Sequence, residues 1–330
     1  MKVLDLKTLI NKFIKREESL DIQEAFNIYG LLRARYVSAQ TVQVFKNFVH
    51  DTDWDIILSG FLKNFQGQIE ILEKLGEEYR IVMPSRPPKD VKFATHLNDI
   101  KDDYIYKKIY HDLVAQLMSL IQAVRSTSTN DNLRTVVIED LTTHFEDFDT
   151  LYKFGKLKGW EETYPVYKTD TNQEKEELST SEAFHIWDHI TMLYDQSELI
   201  SIFANFAHDT EFKAILQHGL YSYSKQVDSL EQLALELNVP LPNRPSLPVE
   251  TAIDPETITD KFMYRIVLSW ELSALDTHVR AIIETIRNDS LRKLWSGMLT
   301  SELDYYDKYL KYGKLKGWTR VVPTYGEPVS

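Results

Sequence analysis

Apolar residues recur every three or four positions along most of this chain, and the pattern is broken at a few well-marked places. Ala25, Ile28, Tyr29, Leu32 and Tyr36, followed by Val42, Phe45 and Val49, keep a helical period and predict a first long helix. Asp51-Thr-Asp53 then offers N-cap chemistry, and Trp54, Ile57, Leu58, Phe61, Leu62, Phe65, Ile69, Leu72 and Leu75 mark one face of a second helix. The joining turn is short, so these two helices are expected to be antiparallel neighbours. From Ile81 to about Asn98 the period lapses around Pro84, Arg86, Pro87 and Pro88, which cannot propagate a helix, and a long crossover is predicted. A third helix is expected over Asp99 to Ser126. Asn130-Asp131 caps a fourth, whose apolar positions Leu133, Val136, Val137, Leu141, Phe145 and Phe148 run to Gly155.

The second half repeats this plan. Phe48-Val-His-Asp-Thr-Asp53 returns 158 residues later as Phe206-Ala-His-Asp-Thr-Glu211, and Gly155-Lys-Leu-Lys-Gly-Trp160 returns as Gly313-Lys-Leu-Lys-Gly-Trp318. Pro84, Arg86 and Pro87 fall on Pro242, Arg244 and Pro245 with no gap, so each copy is expected to be one folded unit. The predicted division is residues 1–168, a polar linker 169–177, and residues 178–330. Two short turns separated by one long connection make helices 2 and 3 parallel, which is the ferritin-like order of a bundle. The fold expected is all-α: two tandem ferritin-like four-helix bundles.

Composition narrows the function classes. The 50 acidic residues outnumber 38 basic ones, giving a net charge of −12 that repels phosphate backbones, so nucleic acid is not an expected partner. Cysteine is absent, which removes disulfides, thiolate metal sites and a cysteine nucleophile. No stretch is long and apolar enough to span a bilayer. Residues 1–19 are interrupted by Lys2, Asp5, Lys7, Lys12, Lys15 and Arg16, unlike a signal peptide, and a cytoplasmic location is expected. Leu6, Leu9, Ile10 and Phe13 form a narrow stripe that reads as a short helix docked on the first bundle, with a membrane-surface helix as the alternative.

Most motifs shared by the halves are structural in type. Asp21-x-x-Glu24 and Ser179-x-x-Glu182 have capping-box spacing at the start of each first helix. His50 and His208 close those helices, where the helix dipole and a nearby aspartate favour a structural role. Asp131-x-x-Arg134 and Asp289-x-x-Arg292 read as salt links at a helix start, and Arg86 and Arg244 as loop anchors. In the Gly-Lys-Leu-Lys-Gly-Trp segment the glycines are expected to cap helix 4 and to fold Leu157 and Trp160 back onto the bundle. The alternative is a docking surface for an acidic protein or ligand, made of Lys156, Lys158 and Trp160 with Lys314, Lys316 and Trp318.

A di-metal bundle needs inward carboxylates with Glu-x-x-His on two helices. The first half has no such motif, whereas the second has Glu182-x-x-His185, which Glu271, His278 and Glu302 could face. Their counterparts Glu24, Asn27, Leu113, Leu120 and His144 could not hold a metal pair. No cofactor and no catalytic residue is therefore expected, a metal ion in the second bundle being the rival. No Gly-rich phosphate loop, nucleophile elbow or His-Glu-x-x-His is found.

The run Leu178-Ser-Thr-Ser-Glu-Ala-Phe-His-Ile-Trp187 followed by Tyr194, the Asp209-x-Glu211 helix start, Pro240-Leu-Pro242 and the closing Lys-Leu-Lys-Gly-Trp with Pro-x-Tyr resemble a bacterial family. It is the tandem-repeat domain-of-unknown-function 3231 type of endospore-forming bacilli. The resemblance covers both halves and implies a ferritin-like fold and a kinship with spore-coat proteins. A histidine common in helix 2 of that pattern is here Gly67 and Lys225, which weakens the metal reading. The reading that results is a non-catalytic structural or interaction protein, connected with sporulation, that meets a protein partner or itself. A metal-binding oxidase or metal store in the second bundle is the alternative, and a small apolar ligand between the helices is a third.

Overall fold

The computed structural model describes residues 19–87, 101–161, 166–167, 177–244, 259–319 and 324–325. The short helix expected over Leu6 to Phe13 and nearly all of the expected linker lie outside them. Among the described residues there are eight long helices: α1 (Ile22–Lys46), α2 (Thr52–Glu78), α3 (Asp102–Ser126), α4 (Asp131–Lys158), α5 (Thr180–Phe206), α6 (Thr210–Glu236), α7 (Asp260–Glu284) and α8 (Asp289–Leu315). They form two four-helix bundles in which α1 packs on α2 and α3, and α4 on α2 and α3, with α5–α8 repeating the scheme. Each close pair is antiparallel. Asn27 at the start of α1 donates to Ser126 at the end of α3 at 2.9 Å, and Lys158 at the end of α4 meets Asp51 at the start of α2 at 2.6 Å. The diagonal pairs must then be parallel, so the chain needs a bundle-length connection between α2 and α3.

Local chemistry explains where the helices begin and end. Asp21 accepts from the backbone N–H groups of Gln23 and Glu24 while Glu24 reaches back to the Asp21 N–H, and Ser179 with Glu182 does the same for α5. Asp51 and Asp209 cap α2 and α6, and Asn130 and Asn288 cap α4 and α8. At the end of α4 the N–H of Trp160 donates to the Gly155 carbonyl at 2.9 Å and that of Gly159 to Lys156, with Gly159 at φ +68°, a left-handed turn that glycine adopts without strain. Gly317 repeats it at φ +67°.

Here the glycine expectation is corrected. Only the second glycine of each motif caps the helix; the first, Gly155 or Gly313, lies inside it, where a methyl group would collide with the ring of Tyr106 or Tyr264 from the neighbouring helix. Leu157 does not fold back either, being 79% exposed.

Trp160 does fold back. It joins Trp54, Tyr106 and Phe154 in an aromatic box at one end of the first bundle, and Trp318 joins Phe212, Tyr264 and Tyr312 at the same place in the second.

The units are not simple consecutive halves. One comprises Met1–Glu162 with Arg320–Ser330, the other Thr163–Thr319. Val166 and Thr324 are equivalent positions, and each forms one antiparallel bridge to the N-cap of a first helix, Val166 to Ser179 and Thr324 to Asp21. The segment following α4 thus completes the second unit, and the segment following α8 completes the first.

Candidate functional site

The five residues nominated as metal ligands in the second bundle separate into three places. Glu182 is fully buried but belongs to a helix end. Its Oε2 accepts from the Ser179 N–H at 2.6 Å and its Oε1 from the N–H groups of Arg287 and Asn288 at 2.7 and 2.8 Å. One carboxylate thereby satisfies the start of α5 and the loop entering α8, and Glu24 does the same with Asp21, Thr129 and Asn130. The capping reading of these glutamates holds, and it goes further than the local box: each ties its own helix to the turn between two others.

Glu271 and Glu302 do come together. From α7 and α8 they enter a layer with Tyr223 of α6 and Tyr305 of α8; the Tyr223 hydroxyl donates to Glu271 Oε1 at 2.7 Å and lies 3.4 Å from Glu302 Oε1. Burial raises the pKa of both carboxyls, and the charge of Glu302 pushes Glu271 up further, so Glu271 keeps a proton well above the usual carboxylate range. Two dry carboxyl groups side by side are stable only if they do not both ionise.

His278 is seven residues, about 10 Å of helix rise, from Glu271 and belongs to another layer. Its Nδ1 is 3.1 Å from Nε2 of His189, whose ring stacks on Trp295 with centroids 4.3 Å apart. His189 Nδ1 lies 2.8 Å from the His185 carbonyl, so it carries the proton there. His185 in turn directs Nε2 to Glu284 at 2.8 Å. Burial lowers the pKa of all three imidazoles, that of His278 to about 4, and keeps them neutral.

The group implied by a ferritin-like bundle therefore does not fit these residues. Glu182 is committed to backbone amides, a tyrosine stands on α6 where a carboxylate would be needed, and the histidines lie in a different layer from the Glu271–Glu302 pair.

The first bundle solves the same interior differently. Arg35 of α1, 1% exposed, binds Asp140 of α4 at 2.9 Å and sits over the Phe65 ring, while Asn64 donates to Asp147 at 2.8 Å and His144 meets the Leu113 carbonyl at 3.1 Å. In the second copy Leu193, Tyr223, Met298, Tyr305 and Glu302 stand where Arg35, Phe65, Asp140, Asp147 and His144 stand in the first.

What the copies share is peripheral. Lys158 and Lys316 are ion-paired with Asp51 and Asp209, the N-caps of α2 and α6, at 2.6 and 2.7 Å. Within the segment nominated as a docking surface, these lysines and both tryptophans are engaged inside their own bundles; Lys156 and Lys314 are half-buried in the last helical turn. In the crossovers Arg244 clasps Glu231 at 2.6 Å and Arg86 approaches Glu73 at 3.4 Å, with Tyr194 and Tyr36 bonded to the same glutamates. His50 and His208 are exposed, and the anchoring groups at those corners are Asp102 and Asp260, which accept the backbone N–H groups of residues 50–51 and 208–209. Asp131–Arg134 and Asp289–Arg292 form the expected links at 2.5 and 2.6 Å.

Among the participants that the sequence reading missed are His189, Tyr223 and Arg35, together with Asp188, which precedes His189 on α5. His185, Asp188 and His189 occupy positions i, i+3 and i+4, a visible signal for one helix face. The tyrosine and the arginine carry no such signal.

The architecture defines an all-α protein of two four-helix bundles. The model of the family described as "Protein of unknown function (DUF3231)" matches residues 167–328, so this part of the chain is similar to that family. A solved structure from Bacillus halodurans C-125, of a protein provisionally named a spore coat protein, is similar at 21% identity and a TM-score of 0.43, over 46% of this chain and 98% of that one. No curated protein matches the chain.

Proposed function

We propose that this chain is a non-catalytic structural or interaction protein built on a duplicated, degenerate ferritin-like bundle, acting in a spore-forming bacterium as the family resemblance implies. The observation that supports it is the contrast between the two copies. Polar groups kept in both that tie one helix to another, such as Glu24/Glu182, Asp51/Asp209, Lys158/Lys316 and Asp102/Asp260, hold helix ends or corners, as Arg134/Arg292 do at the start of α4 and α8. The inward polar groups, by contrast, differ from copy to copy and partner mainly with one another. Architecture is what the duplication retained.

Aerobic titration of the full chain with ferrous iron tests this reading. Stoichiometric or no uptake with no catalytic oxidation is expected. Multiple-turnover iron oxidation, lost in Glu271→Gln/Glu302→Gln, would overturn it. Fractionation of spores with an antibody against the chain tests the sporulation part; absence from every spore layer would remove it.

A further inference from the structure

We infer that His185, Asp188 and His189 on α5 form a binding site for a single divalent transition-metal ion of the zinc class, with Glu284 of α7 as its positioning residue. This goes beyond the scaffold reading and does not depend on it. The three residues share one helix face, and one ligand atom from each lies within 4.8 Å of the others. Among the described residues they are the one such trio of histidine and carboxylate groups.

The second observation concerns a nitrogen. Glu284 is held by Arg280 at 2.9 Å and lies 2.8 Å from His185 Nε2. Paired with the Arg280 guanidinium, the Glu284 carboxylate can only accept, so His185 donates Nε2–H to it. That fixes the tautomer with the lone pair on Nδ1. Nδ1 is buried and meets no hydrogen-bond partner.

An imidazole lone pair left without a donor in a dry place is uncommon, and a carboxylate behind the opposite nitrogen is how metal-bound histidines are oriented. Asp188 adds a negative oxygen. It makes no hydrogen bond or salt bridge among the described residues, and it lines a surface cleft of ≈ 350 Å³ with Thr191, Asp195, Trp270 and Thr277, through which an ion can enter and water can complete its shell. His189 supplies the third ligand by exchanging one of its two present hydrogen bonds for the metal. Two imidazoles and a carboxylate suit zinc, cobalt(II) or nickel(II) rather than magnesium or calcium. At the matching positions the first bundle has Asn27, Gly30 and Leu31, so it provides an internal control.

The experiment is titration of chelator-stripped full-length protein with zinc by calorimetry, and with cobalt(II) by visible absorption. One ion per chain at micromolar affinity or tighter is expected, with His185→Ala and Asp188→Asn each weakening it by about a hundredfold or more. Glu284→Gln should weaken it by about 10–100-fold without abolishing it. Asp188 is partly exposed, so Asp188→Asn keeps the test sharp even if His185→Ala fails to fold. Glu271→Gln should leave the affinity unchanged, which separates this site from the carboxylate layer. The inference is overturned if wild type binds no stoichiometric zinc, or if a folded Asp188→Asn binds as tightly as wild type.

Discussion

Asp147→Asn should stabilise the first bundle near neutral pH and lose that advantage in acid. The Asp147 side chain is 6% exposed; one oxygen accepts from Asn64 at 2.8 Å and the other, Oδ2, is buried with no partner. Burial raises its pKa from 3.8 to about 6. A carboxyl whose folded pKa is raised favours the native state below its unfolded pKa, and that contribution disappears as pH rises through the folded value. Over this gap, at ~1.36 kcal/mol per pH unit, the native state at pH 7.5 bears about 3 kcal/mol for holding the ionised group, and under ~1 kcal/mol remains at pH 4. Asparagine keeps the Asn64 bond and removes the charge, but its amide faces the spot where Oδ2 had no partner, a cost of about 1 kcal/mol. The net expectation is a gain of roughly 2 kcal/mol at pH 7.5, falling to zero or below at pH 4. Urea unfolding of the full chain, read by hydrogen-exchange mass spectrometry on α2 and α4 peptides at both pH values, measures it. A pH-independent difference, or a loss of stability at pH 7.5, would refute the assignment of an ionised carboxylate to that interior.

The Arg35–Asp140 pair gives a related test: Arg35→Leu alone should cost about 3–5 kcal/mol by stranding Asp140, while Arg35→Leu with Asp140→Met, the pair at those positions in the second bundle, should restore most of it, as urea midpoints will show. Glu182→Ala strips the acceptor from three backbone N–H groups and should destabilise the second bundle by about 3 kcal/mol or more; retained exchange protection in the first turns of α5 and α8 would contradict this. Gly155→Ala should destabilise by roughly 1–3 kcal/mol through collision with Tyr106, despite alanine's better helix propensity. Gly159→Ala is expected to cost about 1 kcal/mol through the left-handed turn instead, and thermal melts of both variants check the pair.

Much of the fold was legible because its determinants are local or periodic. Apolar residues spaced for one helix face, Asp, Ser and Asn at helix starts, and proline-broken crossovers each act within a few residues, and the second copy repeats them. The pairing Asp21–Glu24 and its repeat Ser179–Glu182 were readable for that reason. Arg80 and Asn238, which end α2 and α6 in the left-handed conformation at φ +53° and +54°, were not, since the sequence offers no glycine there.

The sequence alone established the eight long helices of the described residues, most of their N-caps and the internal repeat, all of which follow from interactions between neighbours along the chain. Only the tertiary structure decided which inward groups meet. It set Glu271 beside Glu302 and Tyr223, left His278 to His189, paired Arg35 with Asp140, and turned Glu182 away to a helix end. It also gave the last segment of each repeat to the unit whose first helix begins with the matching bridge. The reason is that a buried charge or lone pair must find its partner across the bundle, from helices tens to more than a hundred residues away, and no local pattern records that distance.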